Sequence, residues 1–201
     1  MSEAQASGRI EEAAPLPASL RPNLFVLVLG SAAIALLSFA FLPWRLAAPS
    51  TLLGALMVAG AEVDARTFLL PDTTTLGALA AGVALAPLTS GQGVWAGASD
   101  AALRAVGAGL ILLLLRAAYQ KLRGQEGLGL GDVKLAFVAG AWLDWVMIPV
   151  AIEIAALGAL VAYVAWRIMG RQSIGARLPF GLFLAPAIWL SWLSGALLAV
   201  F

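Results

Sequence analysis

The sequence predicts an all-α fold: a polytopic transmembrane bundle of about seven helices, or six if the fifth and sixth apolar runs are one. Three observations carry this. Hydrophobic residues make up 62% of the 201 residues and charged residues only 11%, for a mean hydropathy of +0.95. A soluble surface needs roughly a quarter of its residues charged. The charges fall in clusters separated by apolar runs long enough to cross a bilayer. The 21 glycines suit close helix packing in lipid.

Residues 1–23 are polar, rich in Ala and Pro, and lack the basic start and cleavage-site order of a secretory signal. They read as a short disordered cytoplasmic tail ahead of a membrane domain over residues 24–201. Within that domain apolar stretches place helices at about 24–43, 47–63, 74–90, 97–118, 133–148, 148–169 and 179–201. Glu62 and Asp64 close the second, and Pro71 bars helix from continuing past Leu70. Asp72, followed by three threonines, reads as the N-cap that opens the third. Asp132 reads likewise at the start of the fifth. Only Asp144 and Pro149 divide the fifth stretch from the sixth.

Orientation follows from the basic residues. Of the 12 Lys and Arg, all except Arg45 and Arg104 lie in the N-terminal tail, in the loops after the second, fourth and sixth helices, or at the helix ends beside those loops. That side is expected to be cytoplasmic, with the N-terminus inside and the C-terminus outside.

The chain has no His and no Cys. This excludes a Ser-His-Asp triad, a Cys-His nucleophile and any thiolate or imidazole metal site. Acid-base chemistry must fall to carboxylates, Lys or Tyr, and a net charge of +1 gives no reason to expect nucleic acid as a partner. Carboxylates near a membrane are functional candidates. Asp100 and Asp144, on the outer side, are explained by capping or solvation, and Glu153 can reach the interface by snorkelling. Two cytoplasmic clusters remain.

The first cluster is EVDARTFLLPDTTTL, with Asp64 at the inner boundary and Arg66 close enough to tune it, although Arg66 also reads as one more positive-inside charge. The second is GQEGLGLGDVKLAF, in which Gly127, Gly129 and Gly131 alternate before Asp132. It lacks the preceding strand and the Lys-Ser/Thr of a phosphate loop. Alternating glycines instead allow unusual dihedrals and the close approach of another chain. Two aspartates at helix ends on one membrane face are the minimum apparatus for aspartyl proteolysis. One stays ionised and takes a proton from water, while the other, kept protonated by its neighbour and by desolvation, donates to the peptide carbonyl.

With these motifs the chain resembles the type IV prepilin peptidases, membrane aspartyl proteases with a GxGD signature. The first catalytic Asp of that family stands seven residues before a Pro, matching Asp64 before Pro71 and Asp72 in DARTFLLPD. The second matches Asp132 in Gly129, Leu130, Gly131, Asp132, leading into Val133, Lys134 and Leu135. A third stretch, LPFGLFLAPA from Leu178 to Ala187, is similar to the segment that opens the family's last helix and contains Pro179 and Gly181. The resemblance implies a catalytic pair, Asp64 and Asp132. It also implies support or substrate contact from Gly129, Gly131, Lys134, Arg66, Pro71, Asp72, Pro179 and Gly181, with no cofactor and no metal.

The departures are specific. Long bacterial members carry a further N-terminal helix and an insert with paired CxxC motifs linked to methylation of the product. This Cys-free chain implies a short form, a peptidase without N-methyltransferase activity. Leu182 stands where Pro is usual, and Asp144 replaces a Gly. The implied substrate is a prepilin or pseudopilin of a type IV pilus, tight-adherence pilus or type II secretion system, cut at the cytoplasmic face of a bacterial inner membrane. Its basic leader is attracted to the acidic cluster, its apolar helix packs against the bundle, and a Gly before the cut enters between Gly129 and Gly131. The alternatives are a small ion- or proton-coupled transporter using Asp64, Asp132 and Glu153, and a GxGD protease acting on another membrane substrate.

Overall fold

In the computed structural model, residues 22–124, 128–169 and 179–200 are described. The expected tail lies almost wholly outside them, as do Glu126 and Gly127 of the second cluster and Leu178 of the third motif. Among the described residues there are seven helices and no strand: α1 (Leu24–Phe41), α2 (Trp44–Thr67), α3 (Asp72–Ser90), α4 (Val94–Arg123), α5 (Leu130–Trp142), α6 (Met147–Ile168) and α7 (Gly181–Val200).

Six of the seven are long and apolar enough to cross a membrane; α5 is not among them. Its 13 residues reach only about 20 Å at 1.5 Å per residue, against a hydrocarbon core of about 30 Å. The fifth helix expected to run on to residue 148 ends at Trp142 because Leu143 takes an extended backbone (φ −103°, ψ 150°). The Met147 N–H then bonds the Asp144 carbonyl at 2.9 Å to start α6. Pro149 falls in the first turn of α6, where its missing N–H costs nothing. In contrast α4, with 30 residues, is about 45 Å long.

Two N-cap expectations need correction. Pro71, not Asp72, caps α3, with no side-chain hydrogen bond, and Gly129, not Asp132, caps α5. Both carboxylates lie inside the first turn, where they still meet the positive end of the helix dipole but are free to turn to other partners. The α2–α3 connection is tight. Phe68 adopts a left-handed backbone (φ 56°) that ends α2, its N–H on the Asp64 carbonyl at 2.9 Å, and Pro71 then holds Leu70 extended.

The bundle packs mostly through small residues. Helix α2 lies against α1, α3 and α7, and α5 against α3, α4 and α7. A β-carbon at Gly140 would stand 2.3 Å from the Arg104 carbonyl oxygen and 2.6 Å from Ala105 Cα, so α4 and α5 touch backbone to backbone there. Several buried polar groups are paired across helices. Ser38 and Ser50 share a 2.8 Å bond, and Trp189 Nε1 donates to Ser50 at 3.1 Å, joining α1, α2 and α7. Trp142 Nε1 donates to the Ala78 carbonyl at 2.7 Å. Its ring meets Trp192 edge-on at 6.1 Å.

Beyond the C-terminal end of α5 lies a recess of about 320 Å³, lined by Gln92, Arg104, Trp142, Leu143, Asp144 and Ser191 among others. Asp100 is seven residues inside α4 rather than at its end. It pairs with the buried Arg104, four residues on, which lies 4.0 Å from the exposed Asp144. These acids belong to a surface ion-pair group remote from the two clusters, and Glu153 is exposed on α6.

Candidate active site

The last turns of α2 and the first turns of α3, α5 and α7 meet at one end of the bundle. Helix α2 delivers Glu62, Asp64 and Arg66. Asp64 is buried at 5% exposure, whereas Arg66 is exposed and pairs with Glu62 at 2.7 Å. Glu62 also accepts the Asn23 N–H at 3.0 Å, tying the start of α1 to the end of α2. Arg66 thus engages a carboxylate one turn before it, an i,i+4 pair, instead of the adjacent Asp64.

Helix α7 comes closest to Asp64. The Leu182 N–H donates to Asp64 Oδ2 at 2.9 Å, and the same N–H lies 3.2 Å from the Pro179 carbonyl. Gly181 makes the approach possible, since a β-carbon there would lie 2.7 Å from Asp64 Oδ2 and 2.6 Å from Leu70 Cδ1. Leu70 also covers Gly131, whose β-carbon would lie 2.9 Å from Leu70 Cδ1. Gly131 is half-buried with Leu70 beside it, whereas Gly129 is exposed.

Asp132 sits in the third position of α5, half-buried. Its carboxylate reaches back to the Gly129 N–H, the carboxylate half of a capping box. The Asp132 carboxyl is pushed up to about 6, first by burial and also by the charge of Asp64, against the lowering pull of the Gly129 N–H. The two aspartates, 68 positions apart in sequence by subtraction of their numbers, are thus electrostatic neighbours. Lys134 pairs with Asp72 and so ties α5 to α3 beside them. Both side chains are substantially exposed, so the pair contributes at most about 1 kcal/mol.

Of the residues singled out from sequence, the structure brings Asp64, Asp132, Gly131, Gly181, Pro179 and Pro71 around one buried point and leaves Arg66, Asp72, Lys134 and Gly129 at its rim. Three participants gave no sign in the sequence: Leu70 as the shared wall, the Leu182 N–H, and Arg116, whose guanidinium binds the Leu128 carbonyl just before the glycines. A backbone donor has no residue-type signature, and Arg116 reads as one more inner-face charge. Among the described residues no group of three or more Asp or Glu could hold a metal ion.

The raised Asp132 has a consequence for stability. Its folded value of about 6 lies above the ordinary carboxyl value of 3.8, so the folded chain holds a proton that the unfolded chain releases between those limits. The carboxyl therefore destabilises progressively as pH rises from about 4 to 6, and the full cost remains above 6. Asp132→Asn keeps the Gly129 contact without the charge. It should melt at a higher temperature than wild type in detergent at pH 7.5, with the gap closing below pH 4. An equal gap at both pH values would refute the shift.

The family model for the type IV leader peptidase family matches residues 51–164. A prepilin leader peptidase/N-methyltransferase of Dickeya chrysanthemi is 40% identical over 139 residues, covering 67% of this chain and 48% of that protein. Proteins of the same name from Burkholderia pseudomallei and Pectobacterium carotovorum are 40% and 37% identical, covering 65% and 61% of this chain and 41% and 43% of their own lengths. The chain spans less than half the length of these curated relatives. No solved structure matches it significantly. A match over more than half the chain, containing both aspartate motifs at the converging helix ends, establishes that the chain belongs to the type IV leader peptidase family.

Proposed function

We propose that the chain is a membrane-embedded aspartic endopeptidase that removes the basic leader of a prepilin or pseudopilin at the cytoplasmic face of a bacterial inner membrane. The observation that carries the reading is the meeting of Asp64 and Asp132 at the mouth of the bundle, where the charge of one acts on the other. Such a pair can hold one proton between two carboxyls. The ionised member takes a proton from a shared water, the water attacks the scissile carbonyl, and the protonated member gives its proton to the carbonyl oxygen. The tetrahedral intermediate then collapses: the C–N bond breaks, the proton taken from water passes from the first carboxyl to the leaving amine, and a hydroxyl of the intermediate gives its proton back to the second carboxylate as the new carboxylic acid forms, which restores the pair. The site lies at a helix end, so an extended segment just outside an apolar substrate helix can reach it.

Methyl transfer appears in the relatives' names but is not part of this proposal, because the Cys-free chain lacks the paired CxxC motifs linked to it. Glu62 is engaged by Arg66 and Asn23 and Asp72 by Lys134, so the acids left to meet a basic leader are Asp64 and Asp132. The topology proposed has the N-terminus inside and the C-terminus outside, with residues 1–23 as a cytoplasmic tail.

Co-expression with a candidate prepilin, followed by mass spectrometry of the mature product, should show a cut at the leader boundary with an unmethylated new N-terminus. Single thiols in the Cys-free chain then test the side. Gln92→Cys should react with an impermeant reagent in intact cells and Gln120→Cys should not; both positions are exposed in the structure. The reverse labelling puts Asp132 on the wrong face for a leader peptidase and returns the transporter reading.

A further inference from the structure

We infer that the recess beyond the C-terminal end of α5 is a binding site for a phosphate ester that also carries an ammonium group, the chemistry of a phosphoethanolamine head. Among the described residues two buried side-chain polar atoms make no hydrogen bond, Arg104 Nε and Ser191 Oγ. Both residues line this one space of about 320 Å³. Arg104 is only 9% exposed and Ser191 is fully buried. The recess lies at the opposite end of α5 from Asp132, so it does not depend on the peptidase reading.

A buried donor without a partner is costly. A helical hydroxyl ordinarily has an easy remedy, a bond back to the carbonyl three or four residues earlier. Thr51, Thr67, Thr89, Ser99 and Ser194 all take it. Ser191 does not, although its own carbonyl accepts the Ser194 hydroxyl at 2.9 Å. Arg104 is only partly engaged. Its Nη1 pairs with Asp100 one turn before it and lies 4.0 Å from Asp144 Oδ1, while its Nε–H has no acceptor.

A planar, permanently charged guanidinium takes an oxyanion, phosphate above all, and the Ser191 hydroxyl can donate to the same oxygens. A bare anion is a poor occupant, because this one guanidinium already faces two carboxylates. An ammonium on the same ligand removes that conflict. Asp144, its side chain 85% exposed, is the acceptor for it, and the apolar wall of Trp142, Trp192 and Ala196 receives the carbon skeleton. A concavity of about 300 Å³ or more with apolar walls and a few convergent polar groups is how small-ligand sites are built. The head belongs either to a lipid of the surrounding bilayer or to a free solute. Water could also meet the two unpaired atoms, and it is the outcome against which the ligand is tested.

The full chain, purified in detergent and stripped of lipid, is titrated with phosphatidylethanolamine, phosphatidylglycerol and soluble phosphoethanolamine. Native mass spectrometry counts what is bound, and melting is followed in parallel. One phosphatidylethanolamine per chain should be retained, about tenfold or more tightly than phosphatidylglycerol, which has the phosphate without the ammonium. Arg104→Gln and Ser191→Ala should each weaken retention by about tenfold, the worth of one buried hydrogen bond to an ion. Asp144→Asn should narrow the preference over phosphatidylglycerol. Ser191→Ala separates ligand from fold. It removes an unpaired hydroxyl, so the lipid-free variant should melt no lower than wild type, while the rise in melting temperature that phosphatidylethanolamine gives should shrink.

Soluble phosphoethanolamine that binds or displaces the lipid identifies a free solute as the source. Lipid that is retained against it identifies the bilayer, and the group recognised is the same. Equal retention by wild type, Arg104→Gln and Ser191→Ala overturns the proposal, as do equal retention of the two lipids and retention of neither form, since the recess then holds water only.

Discussion

Asp64→Asn and Asp132→Asn should each lower leader cleavage by about 1,000-fold or more while leaving the protein in the membrane at normal levels. Asn conserves shape and can still accept the Leu182 or Gly129 N–H, so packing is retained. What is lost is the pair's ability to hold one proton and one negative charge, and general acid-base catalysis contributes about 100- to 10,000-fold for each participant. The losses should not add in Asp64→Asn/Asp132→Asn, because the two groups act as one unit. Asp72→Asn is the contrast. Its ion pair with Lys134 is exposed, so most activity should survive. A stable Asp132→Asn variant that still cleaves at near wild-type rate would remove Asp132 from the site, and an Asp72→Asn variant as inactive as Asp64→Asn would move the first carboxylate to position 72.

Gly140→Ala should be among the most damaging glycine replacements in the described residues. The added carbon would meet the backbone oxygen of Arg104 at 2.3 Å and Ala105 Cα at 2.6 Å. Neither atom is the end of a flexible side chain, so α4 and α5 must separate. Overpacking of a tight core costs about 1–3 kcal/mol and sometimes more, and this contact is backbone on backbone, so about 3 kcal/mol is expected. Because α5 carries Asp132, the surviving folded fraction should also lose activity. Gly77→Ala is the control, on α3 with nothing within 4 Å of the new carbon. Unfolding in mixed detergent micelles gives both numbers, and equal stability of the two variants would show that the helices can part freely.

The positions of all seven helices were legible in the sequence because a bilayer forbids unpaired backbone in its interior, so each apolar run has one way to be satisfied. The aspartates were singled out by the resemblance of their two motifs to a family; spacing alone gave no sign that Asp64 and Asp132, with two further helices between them, come near each other. The ends of elements were less legible than their positions. Nothing local announces that Leu143 leaves the helix while its neighbours stay apolar. The choice is made by Trp142 docking on Ala78 and Trp192. Asp72 and Asp132 have the composition of caps, yet Lys134 claims the first and the Gly129 amide the second. Such partners come from other helices or the preceding turn, and residue type does not reveal which of several acceptable contacts wins.

The shortness of α5 has an electrical consequence. A recess of about 320 Å³ lined by Arg104, Asp144, Ser191 and Gln92 opens beyond its C-terminal end, and a polar-lined space of that size admits water. Where water penetrates, a transmembrane voltage does not fall, so the drop is compressed onto the roughly 20 Å of dry protein that α5 provides. Moving one elementary charge through the full drop costs about 2.3 kcal/mol per 100 mV. Asp132 stands just inside one end of this compressed field, so a proton that reaches it from that end crosses only a small fraction of the drop and does a correspondingly small part of that work. An energised and a depolarised membrane would then present this site with nearly the same proton affinity, so cleavage measured in liposomes should change little when a potassium-valinomycin potential is imposed.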